Sequence, residues 1–440
     1  MSPKPDTRRG LAVPSGRISR LARMGGLAAS VAGNVALAGG RELVSGRRPE
    51  LRDLVMTPSN AARLTKQLSQ MRGAAMKMGQ MLSMEAADLM PREFADILSA
   101  LRSDAHFMPP KQLKQVLTAN LGAGFMKRFK RFDVHPIAAA SIGQVHRATT
   151  TDGRDIALKV QYPGVRDSID SDLRNVASLI AMSGMLPKGL DIAPMLEEAR
   201  LQLHDEADYE REANFLLRYR NLMQGAEGFT LPSLQEDFVT PDILGMSFEK
   251  GVAIEELATA DQATRDHVAT ELIKLVLREL FEFGVMQTDP NFANYRYNAE
   301  TGNIVLLDFG ATRIFAPEMG GQYKAVLHAG MAADSEALRA AFIDIGLYDD
   351  QIPEGIEAVL MRVFEMAMAP LRSGAVYDFG NTDLLGELRE AGLDMADDRS
   401  YVPLPPVDTL FLQRKVGGIY LLATRLKAHV DMGAVLAPYL

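Results

Sequence analysis

Three polar residues in one stretch of the sequence have the types and spacing that phosphoryl transfer requires. Asp289 and Asn294 occur as D-x4-N in MQTDPNFANYRY, and Asp308 opens the tripeptide DFG after the apolar run 304–307. Phosphoryl transfer needs a carboxylate that accepts the proton of the nucleophile, and oxygen ligands that hold Mg²⁺ against the phosphates. The pattern therefore predicts Asp289 as the catalytic carboxylate and Asn294 and Asp308 as metal ligands.

A lysine far upstream supplies the cation that such a reaction uses. In IALKV (156–160) an apolar set alternates with Ala157 and Lys159, which predicts a strand with Lys159 on the opposite face. We expect two such strands within 137–164, joined by a turn at Asp152-Gly153. Strand lysine, acidic helix, D-x4-N and DFG, in this order, predict a kinase-like core that binds ATP and Mg²⁺.

Taken singly, these short motifs are weak signals. DFG occurs again at 378–380 without an apolar strand before it, and APE at 316–318 lies too close to the first DFG to enclose an activation segment. We interpret both as coincidences. An isolated Asp-Pro more often serves a turn, and a lone strand lysine more often lies on a solvated face. Only the joint order of the motifs favours catalysis.

The loop before the lysine strand is rich in alanine where protein kinases have glycine. Its residues are Ala138, Ala139, Ala140 and Ser141. Alanine restricts the positive φ and the close backbone approach that glycine permits, so we expect a less mobile loop that still covers the phosphates. Gln287-Thr288 also stands before Asp289 in place of the His-Arg of protein kinases.

The remaining pattern indicates an α+β chain. Helical periodicity is predicted for 60–84, 165–183, 191–223, 264–284 and most of the chain after Pro317. Extended segments are predicted within 229–250 and 285–310. We therefore expect a two-lobed, protein-kinase-like α+β fold. Its predicted domains are a basic extension (1–50), a helical extension (51–135), an N-lobe (136–250) and a mainly helical C-lobe (251–440).

Composition excludes several classes of protein. The 440 residues exceed one compact domain, and 47% hydrophobic with 24% charged residues are globular values. The absence of cysteine excludes a disulfide scaffold, a thiolate metal site and a cysteine nucleophile. The net charge of −8 argues against a general nucleic-acid binder.

The N-terminal residues are basic although the chain is acidic. Residues 1–41 contain seven Lys or Arg and one acid, and the uncharged run 24–40 is short for a membrane span. Peripheral membrane contact of residues 1–45, an organellar presequence and a plain helical extension stay open. Arg414, Lys415 and further charges interrupt the apolar C-terminal stretch, so we expect no transmembrane helix. The expected location is the cytoplasm, with the inner membrane as the surface for any peripheral contact.

Together the motifs resemble those of the UbiB-type (AarF) atypical kinase-like family, which contains ATPases linked to coenzyme Q (ubiquinone) biosynthesis. The resemblance covers about residue 55 to at least residue 320. Beside MQTDPNFAN, the segments that carry it are KMGQ (77–80), AAASIGQVH (138–146), EADYEREAN (206–214) and LLDFGATR (306–313).

The resemblance also implies roles for single residues. Lys159 would pair with Glu212 and contact the nucleotide phosphates. The family's regulatory KxGQ and ExD elements fall on Lys77, Gly79, Gln80, Glu206 and Asp208. Of these, Glu206 and Asp208 would face Lys77.

Helix geometry limits how these acids act together. Glu206 and Glu212 lie roughly 120° apart around an ideal helix of about 3.6 residues per turn, whereas Asp208 and Glu212 share a face. One helix cannot direct all three carboxylates at one point, so a break or two separate partners is required. A solvated acidic helix is the alternative interpretation.

The resemblance implies an Mg²⁺-dependent ATPase or atypical kinase that supports ubiquinone or isoprenoid-lipid metabolism. In the family the KxGQ element lies where a protein substrate would dock, so we expect ATP hydrolysis or phosphorylation of a small or lipid-related molecule. A nucleotide-binding pseudokinase scaffold and a small-molecule phosphotransferase are the alternatives. The expected partners are ATP/ADP, a lipid or quinone-precursor ligand, biosynthetic proteins and a membrane surface, without nucleic acid.

Overall fold

The computed structural model of the chain describes residue 68 and residues 71–85, 107–182, 192–393 and 405–440. The basic extension 1–50, the membrane contact left open for residues 1–45 and most of residues 60–70 of the helix predicted over 60–84 lie outside the described residues. The described residues form two compact units. The first contains residues up to 214 and 233–248, and the second contains 215–232 and 249–440. The domain limits drawn from the sequence stay a prediction.

Thirteen strands occur in the described residues. In chain order they are β1 (Phe129–Phe132), β2 (Ala138–Ala139), β3 (Gly143–Thr150), β4 (Asp155–Gln161), β5 (Phe229–Thr230), β6 (Ile243–Ser247), β7 (Val252–Ala253), β8 (Val285–Gln287), β9 (Tyr295–Asn298), β10 (Asn303–Leu306), β11 (Thr312–Ile314), β12 (Tyr377–Asp378) and β13 (His429–Val430).

The α-helices of the described residues alternate with these strands and predominate after β11. They are α1 (Arg72–Glu85), α2 (Pro110–Leu121), α3 (Val165–Met182), α4 (Ala193–Glu206), α5 (Tyr209–Leu222), α6 (Gln262–Arg278), α7 (Met319–Ala332), α8 (Ser335–Asp344), α9 (Glu354–Arg372), α10 (Leu384–Leu393), α11 (Val407–Leu426) and α12 (Met432–Leu436).

The first unit is built on an antiparallel sheet in the order β1-β3-β4-β6, with β2 also paired to β3. The predicted hairpin is confirmed, since β3 and β4 pair along their length and Gly153 takes the positive φ of 95° that its turn requires. The apolar set Ile156, Leu158 and Val160 is fully buried in a core to which α2 and Phe238 also contribute. This alternation turns Lys159 to the other face of the sheet.

The second unit holds two short sheets that support the DFG region. Strands β5, β10, β9 and β7 form one, in that order, and β8 pairs with β11 in the other. The helix predicted over 264–284 is present as α6, which begins at the N-cap Asp261. It continues into a π-helical turn, Glu279–Phe283, and ends at Gly284 with a φ of 59°.

The second DFG has a local structural role. Asp378 belongs to β12, which pairs with β13, and its Oδ1 accepts a hydrogen bond from the backbone N–H of Gly380 at 2.8 Å. The ring of Phe379 packs against Tyr377 and Tyr420, with centroids 4.6 and 5.2 Å away.

In the described part of the chain, no helix is both long enough and apolar enough to cross a membrane.

Candidate active site

A buried ion pair holds the strand lysine in the first unit. Lys159 Nζ donates to both carboxylate oxygens of Glu212, at 2.9 and 2.8 Å. Lys159 is 8% exposed and Glu212 1% exposed. The ammonium also lies 5.2 Å from the centre of the Tyr209 ring, within the range of a cation–π contact. The ion pair thus fixes the position of the Lys159 ammonium on strand β4.

Glu206 and Glu212 belong to two different helices. Helix α4 ends at Glu206 and α5 begins at Tyr209. Asp208 lies in the break, where its Oδ1 accepts a hydrogen bond from the backbone N–H of Arg211 at 2.9 Å and so stabilises the first turn of α5. The structure therefore contains both the break and the separate partners that helix geometry requires.

Glu206 joins helix α1 to the Ala-rich loop. Its Oε1 forms an ion pair with Lys77, which is 5% exposed. Its Oε2 accepts a hydrogen bond from Ser141 Oγ at 3.2 Å. A Cβ at Gly73 would lie 2.9 Å from Ile142 Cγ2, so α1 and the loop meet where only glycine leaves room. Gly79 is buried on the same helix, which also carries Gln80.

The Ala-rich loop is a tight hairpin. Ala138 pairs with Val145 and Ala139 with Gln144, and the N–H of Ala140 donates to the carbonyl of Gly143 at 2.8 Å. A Cβ on Gly143 would lie 2.6 Å from the carbonyl oxygen of Val160. The loop is thus tied to β3 by backbone hydrogen bonds.

The end of the AAASIGQVH segment serves the first unit's packing. Gln144 Oε1 accepts a hydrogen bond from the backbone N–H of Met108, and its Nε2 lies 2.8 Å from His146 Nε2. His146 Nδ1 lies 2.8 Å from the carbonyl oxygen of Asp133. These bonds require an imidazole that donates through Nδ1 and accepts at Nε2, which is the neutral form. Burial lowers the pKa of His146 to about 4.

In the second unit, Asp289 is held through both carboxylate oxygens. Oδ2 accepts a hydrogen bond from Asn294 Nδ2 at 3.1 Å, and Oδ1 accepts one from Arg414 Nη2 at 2.8 Å. Since Asn294 donates through its nitrogen, its oxygen Oδ1 stays available as a metal ligand. The D-x4-N spacing therefore produces a direct contact between its two polar residues.

Two backbone ladders bring the DFG turn beside this loop. Ahead of Asp289, β8 pairs with β11, so that Gln287 lies opposite Thr312. After Asn294, β9 pairs with β10, and the N–H of Leu307 donates to the carbonyl of Asn294 at 3.0 Å. Asp308 follows directly, and its Oδ1 accepts a hydrogen bond from the N–H of Gly310 at 2.9 Å. The ladders thus place Asn294 and Asp308 at adjoining ends of paired strands.

Comparison with known proteins identifies the family. The ABC1 atypical kinase-like domain matches residues 100–342. Atypical kinase COQ8, mitochondrial, of Saccharomyces cerevisiae is 36% identical over 429 residues, which cover 97% of this chain and 85% of that protein. The chain belongs to the ABC1 atypical kinase-like family. This membership confirms the UbiB-type resemblance and the kinase-like α+β fold expected from the sequence.

Two further proteins are similar to this ABC1 chain. Atypical kinase COQ8, mitochondrial, of Schizosaccharomyces pombe is 38% identical over 422 residues, which cover 95% of this chain and 68% of that protein. The solved complex of Rv3197 with erythromycin from Mycobacterium tuberculosis has a TM-score of 0.60 at 24% identity, covering 86% of this chain and 95% of that one. The latter shares the fold.

Two basic residues of this ABC1 protein were missed as partners of the candidate site. Arg414 meets Asp289, and the buried Lys415 donates to Gln287 Oε1 at 3.1 Å and to Tyr295 Oη at 2.8 Å. In the sequence they are only charges in an apolar helix. A buried charge needs a partner, so the sequence indicates that partners exist but does not identify them.

Lys415 also faces a buried acid. Its Nζ lies 3.7 Å from Glu279 Oε2, and both side chains are 1% exposed. Burial alone lowers the pKa of Lys415, but the negative charge of Glu279 and the contact with Tyr295 more than offset this, so the pKa is raised above its ordinary value. Lys415 therefore stays charged beneath the segment that carries Asp289 and Asn294.

Proposed function

We propose that this chain is an Mg²⁺-dependent ATPase of atypical kinase type, with ATP as the phosphoryl donor. The observation that carries the proposal is the arrangement of Asp289, Asn294 and Asp308. Asn294 donates to Asp289 at 3.1 Å, and its carbonyl accepts from the N–H of the residue before Asp308. A proton acceptor and two oxygen ligands on paired strands are what phosphoryl transfer requires.

Lys159 is the proposed ligand of the α- and β-phosphates. The bidentate contact with Glu212 orients its ammonium on strand β4. In the protein-kinase template, a strand lysine held by a glutamate of a neighbouring helix performs this task. The hairpin Ala138–Ser141 is the proposed cover of the nucleotide, since it directly precedes the two paired strands.

The proposed metal ligands fit Mg²⁺. Asn294 Oδ1 and the Asp308 carboxylate are hard oxygen donors, and Mg²⁺ takes few protein ligands beside phosphate and water. A Mg²⁺ ion held there would neutralise negative charge on the phosphates.

Asp289 is the proposed proton acceptor. The hydrogen bond from Asn294 and the ion pair with Arg414 orient its carboxylate before the nucleophile arrives. The oxygen of water, or of a hydroxyl group on an acceptor molecule, attacks the γ-phosphorus, and Asp289 takes up the proton of that oxygen. The bond between the γ-phosphorus and the oxygen that bridges it to the β-phosphate breaks, and ADP leaves with the bridging oxygen. Water as nucleophile gives hydrolysis, and an alcohol gives a phosphorylated product.

The proposed setting is ubiquinone or isoprenoid-lipid metabolism. The COQ8 relatives and the UbiB-type resemblance support it, and the candidate acceptors are a small or lipid-related molecule rather than a protein. A lipid or quinone precursor, biosynthetic proteins and peripheral contact with a membrane are the proposed partners, without nucleic acid. The COQ8 relatives are named mitochondrial, and a cytoplasm or an organelle is the proposed location of this chain.

Turnover of Mg²⁺-ATP by wild type and by Asp289→Asn, with and without liposomes, tests this function. We expect hydrolysis by wild type, stimulation by liposomes, and a loss of about 10²-fold or more in the variant, because the asparagine accepts no proton. Equilibrium binding of Mg²⁺-ADP should survive in Asp289→Asn.

The outcome separates the alternatives. Tight binding of nucleotide without turnover in wild type, with or without lipid or phenolic additives, would establish a pseudokinase scaffold. Phosphate transfer to a soluble amine or alcohol would establish a small-molecule phosphotransferase. Turnover that Asp289→Asn leaves unchanged would remove Asp289 from the mechanism.

A further inference from the structure

Arg414 contacts the proposed proton acceptor from helix α11. Its Nη2 lies 2.8 Å from Asp289 Oδ1, and the arginine side chain is 17% exposed. Among the residues that the structure describes, its other N–H groups have no hydrogen-bond partner. A guanidinium carries five donors in a rigid fork, so the ion pair with Asp289 leaves several donors unused.

Helix α11 is fixed against the proposed catalytic loop, residues 288–294, at two further positions. Lys415 donates to Gln287 ahead of the loop and to Tyr295 after it. Gly418 lies one turn beyond Arg414, and a Cβ there would stand 2.2 Å from Pro290 Cβ. Because these contacts bracket the loop, the backbone that carries Arg414 has little freedom to move relative to Asp289.

The catalytic loop itself lacks a cation. The segment from Gln287 to Asn294 contains no lysine, arginine or histidine. Phosphoryl transfer nevertheless develops negative charge on the oxygens of the transferring group, and an arginine supplied from elsewhere in the structure can neutralise it. Arginine suits the task because one planar fork can bind a carboxylate and a phosphate oxygen.

We propose that Arg414 positions Asp289 and supplies the positive charge beside the transferring phosphoryl group that the catalytic-loop sequence lacks. This inference rests on the proposed function. One N–H group orients the carboxylate, and the unused donors are available to the phosphate oxygens in the transition state. Helix α11 thereby takes part in phosphoryl transfer in addition to its role in packing.

The test compares Arg414→Gln, Arg414→Lys and the control Arg425→Gln in the full chain. Arg425 lies on the same helix but pairs with Glu255, and its side chain is 57% exposed. We expect Arg414→Gln to lower kcat for Mg²⁺-ATP by about 10³-fold with a small change in KM, as for loss of a transition-state contact. Arg414→Lys should recover part of kcat, because it keeps the charge without the fork.

Rescue by methylguanidinium separates chemistry from folding. Added to Arg414→Ala, it should restore turnover more than an equal concentration of tetramethylammonium chloride, without raising the unfolding temperature. Equal kcat in Arg414→Gln and Arg425→Gln, or no rescue, would overturn the role of Arg414 while wild-type turnover still supports the ATPase. Absence of turnover in wild type would instead refute the proposed function.

Discussion

Glu206 and Glu212 are close in sequence, yet each pairs with its own lysine. Glu206 ends α4 and meets Lys77, whereas Glu212 lies in the first turn of α5 and meets Lys159. The break between the helices separates a carboxylate that links α1 to the Ala-rich loop from one that orients the strand lysine. A short acidic segment thus performs two tasks that one continuous helix could not.

The buried pair predicts strong coupling between two substitutions. Lys159→Met leaves the 1% exposed Glu212 without its lysine, and we expect a loss of about 3–5 kcal/mol in the free energy of unfolding. Glu212→Leu should cost a similar amount. The double variant Lys159→Met/Glu212→Leu should lose less than the sum, because no buried charge is left unbalanced. Urea denaturation at neutral pH measures all three.

An exposed pair provides the control for that experiment. Arg200 Nη2 and Glu197 Oε1 form a salt bridge of 2.8 Å, and these side chains are 37% and 58% exposed. Arg200→Met should change the free energy of unfolding by less than about 1 kcal/mol. Strictly additive effects of the Lys159 and Glu212 substitutions would contradict the importance of their pairing.

The two DFG sequences offer matched variants for metal binding. The side chains of Asp308 and Asp378 each accept a hydrogen bond from the backbone N–H of the glycine two residues later, at 2.9 and 2.8 Å. The side-chain oxygen of an asparagine can accept the same hydrogen bond. We expect Asp308→Asn to abolish the thermal shift caused by Mg²⁺-ATP, because a charged metal ligand is lost. Asp378→Asn should keep the shift. An unchanged shift in Asp308→Asn would argue against Asp308 as a ligand.

Adjacent glycines in α11 test how closely this helix must approach the catalytic loop. A Cβ at Gly418 would overlap Pro290 at 2.2 Å, whereas a Cβ at Gly417 meets nothing within 4 Å. Gly418→Ala should destabilise the protein by about 1–3 kcal/mol and lower kcat. Gly417→Ala should be stabilising by up to about 1 kcal/mol, from helix propensity, with kcat unchanged. Equal thermal unfolding and turnover in the two variants would refute this packing.

His146 predicts a loss of stability in mild acid. Burial lowers its pKa to about 4, below the ordinary 6.5 that the unfolded chain retains. The unfolded state therefore binds the proton first, so stability is complete above about pH 6.5 and falls as the pH drops toward 4. The His146 contribution to this loss is about 3 kcal/mol at pH 4.

The variant His146→Gln isolates this contribution. It should be less stable than wild type at pH 7, since the bonds to Gln144 and Asp133 change. Its free energy of unfolding should then fall less steeply between pH 6.5 and 4, as followed by urea denaturation at a series of pH values. Parallel curves for both proteins would show that His146 does not titrate in this range.

The periodicity and turn residues of the sequence predicted those parts of the fold that depend on contacts between residues close together in sequence. The hairpin β3–β4 follows from alternation and an Asp-Gly turn, and α6 follows from periodicity with an N-cap at Asp261. Helix geometry also required the break or separate partners found between Glu206 and Glu212. The structural role of Gln144 and His146 was missed, because their partners Met108 and Asp133 lie outside the strand that carries them.

Residue types and spacing predicted the kinase-like fold class and the candidate side chains Lys159, Asp289, Asn294 and Asp308, and the resemblance of the joint motifs implied the family and the other candidate residues. Only the tertiary structure decided which charges meet. Arg414 and Asp289 are 125 positions apart and Lys77 and Glu206 are 129 apart, in a chain with 48 basic and 56 acidic residues. Periodicity constrains neighbours within a few residues, whereas the choice among so many equivalent charges depends on how the helices and strands pack.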